Sequence, residues 1–310
     1  MVSTTKRYGI IVGIDGSPES DAAVSWAAHD AAIRGLPLTV VHVESPAAAT
    51  WSQAPVLEES PGEQQAEGRD LLAHASTIAR DAIADTAQVH ITGELLSSST
   101  PVPTLVEQSK DTELIVVGSR GRGALSRSIL GSVSAGLIRH AHCPVALIRD
   151  ADPQMPHPAQ APVLVGIDGS TSDLATAIAF EEASLRNADL IALHAWNDID
   201  MNAIPGYDWS PTTAKEGHLL TEALVGWQER YPDVSVHKQL VSDRAARALV
   251  DASESAQLVV VGSHGSGALA GMLLGSVSNA VVQAVHRPVI VARPQSAPPV
   301  DDGRPERNGA

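Results

Sequence analysis

Cysteine occurs once in the 310 residues, as Cys143. A single thiol excludes an internal disulfide framework and fits a reducing cytoplasm. Basic residues are scarce, with 21 Lys+Arg against 36 Asp+Glu and a formal net charge of −15. That balance argues against a surface that tracks nucleic-acid phosphates, which needs clustered cations. Five Trp, three Tyr and one Phe leave little for base-stacking platforms. The longest apolar runs, Leu114 to Val117 and Leu258 to Val261, fall far short of the ~20 residues that span a bilayer. Residues 1–8 are polar and carry no apolar signal core. These absences predict an acidic cytoplasmic protein with no nucleic-acid partner and no membrane insertion. A hydrophobic fraction of 44% with 18% charged residues is that of a packed globular chain.

The chain is written twice. Ile11-Val12-Gly13-Ile14-Asp15-Gly16-Ser17 returns as Leu164-Val165-Gly166-Ile167-Asp168-Gly169-Ser170. Leu38 to His42 returns as Leu190 to His194, and Leu114 to Ser119 as Leu258 to Ser263. Leu130-Gly131-Ser132-Val133-Ser134 returns as Leu274-Gly275-Ser276-Val277-Ser278, and Pro144 to Ile148 as Pro288 to Ala292. Five blocks in one order define an internal repeat. The expected organisation is a first domain over 1–149, a proline-rich linker over 150–162, a second domain over 163–293 and a disordered tail over 294–310.

Most blocks are short β-branched apolar runs without alternation, the pattern of strands buried on both faces of a parallel sheet. Five strands are expected per copy, in the first near Ile10, Leu38, Val89, Leu114 and Val145. Ser17 and Pro18 form a helix start, and Gly35 a helix stop. Further helices are expected over 71–83, 104–109, 172–187, 219–230 and 245–255. Strand and helix in alternation predict an α/β fold with helices on both faces of an open sheet. The last strand of each copy, Val145 to Ile148 and Val289 to Val291, reads as a sheet edge that needs cover, and pairing of the two copies edge to edge would supply it.

In such a sheet, ligands bind beyond the strand carboxyl ends where strand order reverses. Two loops per copy suit this. One follows the first strand, with Gly13 and Asp15, matched by Gly166 and Asp168. The other follows the fourth strand as Gly118-Ser119-Arg120-Gly121-Arg122-Gly123, then Gly131-Ser132-Val133-Ser134. Its twin is Gly262-Ser263-His264-Gly265-Ser266-Gly267, then Gly275-Ser276-Val277-Ser278. The glycines let consecutive N–H groups approach an anion, and the Ser-Val-Ser segment opens a helix whose amides attract phosphate. Ser132 and Ser134 add hydroxyl donors. Asp15 can accept from a ribose hydroxyl, hold Mg²⁺, or simply cap a helix with Ser17. Together these features describe a nucleotide site. The only lysines are Lys6, Lys110, Lys215 and Lys238, so the Walker pattern is absent, and no Gly-x-Gly-x-x-Gly follows the first strand.

The spacing Gly-x-x-Gly-x9-Gly-Ser, met by Gly118/Gly121/Gly131-Ser132 and by Gly262/Gly265/Gly275-Ser276, resembles the ATP-binding signature of the universal stress protein family, in its tandem form. The resemblance implies strand order 3-2-1-4-5 in each copy and ATP at the junction of strands one and four. It implies that Asp15 and Asp168 contact ribose or Mg²⁺, and that Val43 and Ala195, at the strand-two ends, meet adenine. It also implies homodimerisation, an unidentified protein partner and a nucleotide-dependent role in stress or dormancy.

The copies differ. Copy one carries Arg120, Arg122 and Arg127 in its loop, where copy two has His264, Ser266 and small residues. Tighter triphosphate binding at site one is one expectation, and arginines that merely face solvent the alternative. Arg139-His140-Ala141-His142-Cys143 holds metal-capable types, but copy two does not keep them, and a packed strand entry is the simpler reading. Three functions stand open: a nucleotide-binding regulator, a slow ATPase or phosphotransferase using the same sites, and a scaffold with vestigial loops.

Overall fold

The computed structural model describes residues 8–44, 61–83, 88–122, 130–149, 161–169, 173–196, 210–265 and 274–294. The expected linker, apart from residues 161 and 162, and the expected tail beyond residue 294 lie outside these. The first repeat forms β1 (Ile10–Ile14), α1 (Pro18–Arg34), β2 (Leu38–Glu44), α2 (Pro61–Ile83), β3 (Ile91–Ser97), α3 (Pro101–Gln108), β4 (Leu114–Gly118), α4 (Ser132–His140) and β5 (Val145–Ile148). The second forms β6 (Val163–Gly166), α5 (Asp173–Leu185), β7 (Leu190–Ala195), α6 (Ser210–Arg230), β8 (Val236–Val241), α7 (Ala245–Ser253), β9 (Leu258–Gly262), α8 (Ser276–Ala284) and β10 (Val289–Ala292).

All ten strands join one sheet in the order β3-β2-β1-β4-β5-β10-β9-β6-β7-β8. Each half has the order 3-2-1-4-5 with parallel neighbours. The halves meet at β5 and β10, which pair antiparallel with Ile290 opposite Ala146. The last strands therefore cover each other, and the free edges are β3 and β8. Burial follows from this. β1, β4, β5, β9 and β10 are almost wholly buried, whereas β8 exposes His237, Lys238 and Gln239 and β3 is half-buried with Gly93 and Ser97 exposed. β3 and β8 lie outside the repeated apolar blocks, and at these two free edges polar side chains discourage further pairing.

Local chemistry sets the first helix. Ser17 Oγ accepts from Ser20 N at the start of α1, Pro18 takes the first helical position, and Gly35 closes the helix at φ 64°. α2 and α6 begin about ten residues before their expected starts, because their amino-terminal turns are exposed and lack apolar periodicity. Two apolar layers cover the sheet, one on each face, and each draws on both repeats. The sheet is thereby continuous in hydrogen bonding and in core.

The interface between the halves carries a ring of charges that is absent from the sequence reading. Arg34 of α1 pairs with Asp30 at 2.8 Å and reaches Glu182 of α5. Arg186, just beyond α5, pairs with Glu182 at 2.9 Å and with Asp30 at 2.7 Å. Both carboxylate side chains are fully buried, and the arginines are only 13% and 14% exposed. Each repeat thus donates one Arg and one acid, four residues apart, to a closed four-membered ring. Burial, then the neighbouring Glu182 charge, raises the Asp30 pKa to about 6, against the pull of both arginines.

Candidate functional site

The carboxyl ends of β1 and β4 lie side by side at the point where strand order reverses in the first half. A cleft of about 730 Å³ opens there. Gly13, Ile14 and Asp15 line it from β1, and Val41, His42 and Val43 from β2. Pro101 and Leu105 of α3 add apolar lining, while Gly118 ends β4 and Arg120, Gly121 and Arg122 follow it. Leu130 to Ser134 close it with the start of α4. The sequence reading therefore placed Gly13, Asp15, Val43, Gly118, Arg120, Gly121, Arg122, Gly131, Ser132, Val133 and Ser134 around one space. Ser119 is buried behind the loop, where its carbonyl accepts from Gly131 N at 2.9 Å. Gly123, Arg127, Ser266 and Gly267 lie outside the described residues.

Asp15 organises the loop. Its Oδ1 accepts from Ser17 N at 3.0 Å and from Ser17 Oγ at 2.6 Å, and its Oδ2 accepts from Arg122 N at 3.0 Å. It therefore joins the α1 entrance and also ties the β1 loop to the glycine loop after β4. A Cβ at Gly121 would overlap Asp15 Oδ2 and push the carboxylate aside. Gly265 repeats the arrangement, with a Cβ position 2.5 Å from Asp168 Oδ2.

Helix α4 starts at Gly131 with no side-chain cap, and so does α8 at Gly275. Helix geometry leaves the first-turn amides of each without an intrahelical acceptor, and the dipole makes that end attractive to anions. Ser134 does not serve as a donor to the cleft, contrary to expectation. Its hydroxyl donates to Gly118 O at 2.7 Å, and Ser278 donates to Gly262 O at 2.5 Å. Each stitches its helix to the strand beside it, which an apolar core demands of a buried hydroxyl.

The arginines are engaged as well. Arg120 pairs with Glu19 of α1 at 2.5 Å, and Arg122 Nη1 with Glu67 of α2 at 2.9 Å. In the second half, Gly166 ends β6, Ala195 ends β7 and Gly262 ends β9, with Ser263, His264 and Gly265 following it. Ser263 Oγ lies 3.1 Å from His264 Nδ1, and Ser263 O accepts from Gly275 N at 2.7 Å. No group of three or more His, Cys, Asp or Glu able to hold a metal occurs among the described residues. Cys143 is fully buried at the entry to β5.

Two histidines escaped the sequence reading. His42 Nδ1 donates to Ile14 O at 2.9 Å, and His194 Nδ1 donates to Ile167 O at 2.7 Å. Each pins the end of β2 or β7 to the first strand of its half. His194 Nε2 also lies 3.0 Å from Glu216 of α6. The signal was there, since both histidines end a repeated block and Glu67-Gly68 returns as Glu216-Gly217.

The model of the universal stress protein family matches residues 9–149 and 161–293. The chain belongs to the universal stress protein family. A universal stress protein of Mycobacterium tuberculosis, Rv2005c, is 54% identical over 294 residues, covering 94% of this chain and 99% of that relative. A Mycolicibacterium smegmatis universal stress protein is 43% identical over 298 residues, or 95% of this chain and all of the relative. The crystal structure of a universal stress protein from Archaeoglobus fulgidus shares the fold at a TM-score of 0.68 and 20% identity, covering 92% of this chain and 98% of that one. The tandem arrangement of universal stress domains thus extends over nearly the whole chain. No helix among the described residues is long and apolar enough to cross a membrane.

Proposed function

We propose that this universal stress protein binds ATP at two sites per chain and acts in the cytoplasm as a nucleotide-dependent regulator of the stress or dormancy response, as a homodimer read by a protein partner. The observation that carries the reading is the composition of the cleft. One wall is apolar, from Val41, Val43, Leu105 and Val117, and suits a flat base. Glycine backbone and the uncapped start of α4 line the same cleft and suit phosphate. Asp15 also lines it, where a ribose hydroxyl can donate to it. The paired Asp168, Gly265 and uncapped α8 support a second site of the same kind.

Asp15 is the one carboxylate among the described residues that lines the cleft. Mg²⁺ would therefore be held jointly by nucleotide phosphates and this single side chain, rather than by a protein cage. Both Asp15 oxygens already accept hydrogen bonds, which favours an orienting role over that of a general base and supports binding over turnover. The test is calorimetric titration with ATP and with GTP. Binding of ATP at two sites per chain, weakened at one by Asp15→Ala and at the other by Asp168→Ala, is the expected result. Phosphate release that disappears in Asp15→Ala would favour the ATPase reading.

A further inference from the structure

Two ion pairs border the first cleft, and they are held with different firmness. Arg120 and Glu19 of α1 are 2.5 Å apart, with side chains only 18% and 13% exposed. Arg122 Nη1 and Glu67 of α2 are 2.9 Å apart, with side chains 52% and 53% exposed. Separating a largely buried pair leaves an uncompensated charge, so Arg120 stays with Glu19. An exposed pair contributes little, so Arg122 can leave Glu67 at small cost. The main chain of Arg122 is meanwhile fixed, because its N–H donates to Asp15 Oδ2 at 3.0 Å. Its side chain crosses the β1 loop at Gly16, where a Cβ would lie 3.2 Å from Arg122 Cζ and would collide with Nη2. A half-exposed guanidinium thus belongs to the lining of the cleft, anchored at its backbone and loosely held at its tip. The second half has the acid without the arginine. Ser266 stands at the position of Arg122, and Glu216, the counterpart of Glu67, lies 3.0 Å from His194 Nε2 instead.

We propose that Arg122 sorts nucleotides at the first site by their number of phosphates, exchanging Glu67 for the terminal phosphates of a di- or triphosphate. The second site, which has no such arginine, does not sort in this way. The proposal rests on the nucleotide-binding reading above and names the ligand class that the first site prefers. A carboxylate offers the guanidinium one charge and two oxygens. A terminal phosphate offers more charge and three oxygens, in a geometry that the planar fork matches. The amino end of α4 takes the first phosphate of any nucleotide, so a monophosphate has nothing left to draw Arg122 from its acid. Glu67 is therefore a competitor of the ligand, and it sets the threshold that a polyphosphate passes. This gives the acid and the arginine opposite effects on the same binding step, which a merely structural pair would not have.

The test is calorimetric titration with ATP, ADP and AMP of full-length chains whose second site is blocked by Gly265→Ala. ATP is expected to bind more tightly than AMP. Arg122→Ala keeps the N–H that Asp15 accepts from, weakens ATP about 5- to 20-fold and narrows the ATP-to-AMP ratio accordingly. Arg122→Lys, which keeps the charge and loses the fork, gives an intermediate loss. Glu67→Gln strengthens ATP about 2- to 5-fold and changes AMP by less than about 2-fold. In the Arg122→Ala background, Glu67→Gln has no further effect on ATP. With the first site blocked by Gly121→Ala instead, neither substitution moves the ATP-to-AMP ratio at the second. Weaker ATP binding in Glu67→Gln would show that the acid positions the arginine rather than competing for it. A gain from Glu67→Gln that persists without Arg122 would show a general charge effect. Either result, or equal losses of ATP and AMP in Arg122→Ala, overturns the exchange and leaves the nucleotide-binding reading intact. Absence of binding by all three nucleotides overturns both.

Discussion

Asp15 and Gly121 share one space at the mouth of the first cleft. The Asp15 carboxylate lies where a Gly121 side chain would begin, and Asp168 and Gly265 repeat the relationship in the second half. The carboxylate after one strand and the glycine loop after another are therefore built as one unit. Alanine at Gly121 displaces Asp15 from Arg122 N and widens the loop, at an overpacking cost of about 1–3 kcal/mol. The expected outcome is a fall from two ATP per chain to one by calorimetric titration, with cooperative unfolding retained. An unaltered isotherm would show that this contact has no part in binding.

The buried hydroxyls of Ser134 and Ser278 predict a stability effect. Ser134→Ala removes the bond to Gly118 O and leaves that buried carbonyl without its side-chain donor, costing about 1–3 kcal/mol in urea unfolding. Ser278→Ala has the same consequence in the second half. A change below a few tenths of a kcal/mol would mean that the carbonyls find other partners.

Arg34→Ala leaves the fully buried acids Asp30 and Glu182 with one guanidinium between them. Breaking a buried ion pair from one side typically costs about 3–5 kcal/mol, and that loss is expected in chemical denaturation. The mutant should also lose cooperativity between the halves, seen as two unfolding transitions instead of one.

The pH dependence of this ring has a definite sign. The Asp30 pKa is raised to about 6, above the ordinary carboxylate value, so the folded chain keeps this proton where the unfolded chain has released it. Stability contributed by the group is present below the unfolded value of about 4 and is lost as pH rises through about 6. The stability of the native chain relative to Asp30→Asn should therefore grow as pH falls from 7 to 4. A difference that is flat with pH, or shrinks over that range, contradicts the raised pKa.

Much of the fold was legible because the determinants are local. Ser17, Pro18 and Gly35 mark α1 to the residue, and the unalternating runs at Ile10 and Leu114 mark strands buried on both faces. The repeat placed the glycine loops in equivalent positions twice. What the sequence hid depends on three-dimensional neighbours. Nothing near Ser134 announces that its hydroxyl turns inward to Gly118. Asp30 and Arg34 stand four residues apart on α1, and nothing local announces that Glu182 and Arg186 reach them from the other repeat. Arg149 and Arg293 follow strands in equivalent places, yet only the antiparallel joint shows that each donates to carbonyls at the carboxyl end of a helix in the other half.

The central claim is that the duplicated fold carries two ATP sites. Its most direct measurement is acid extraction of the purified full-length chain after saturation with ATP and removal of excess, with mass identification and quantitation of the nucleotide. The account predicts adenine nucleotide approaching two per 310 residues, falling to one in Asp15→Ala. Recovery of no adenine nucleotide, with no ATP isotherm by calorimetry, would contradict it.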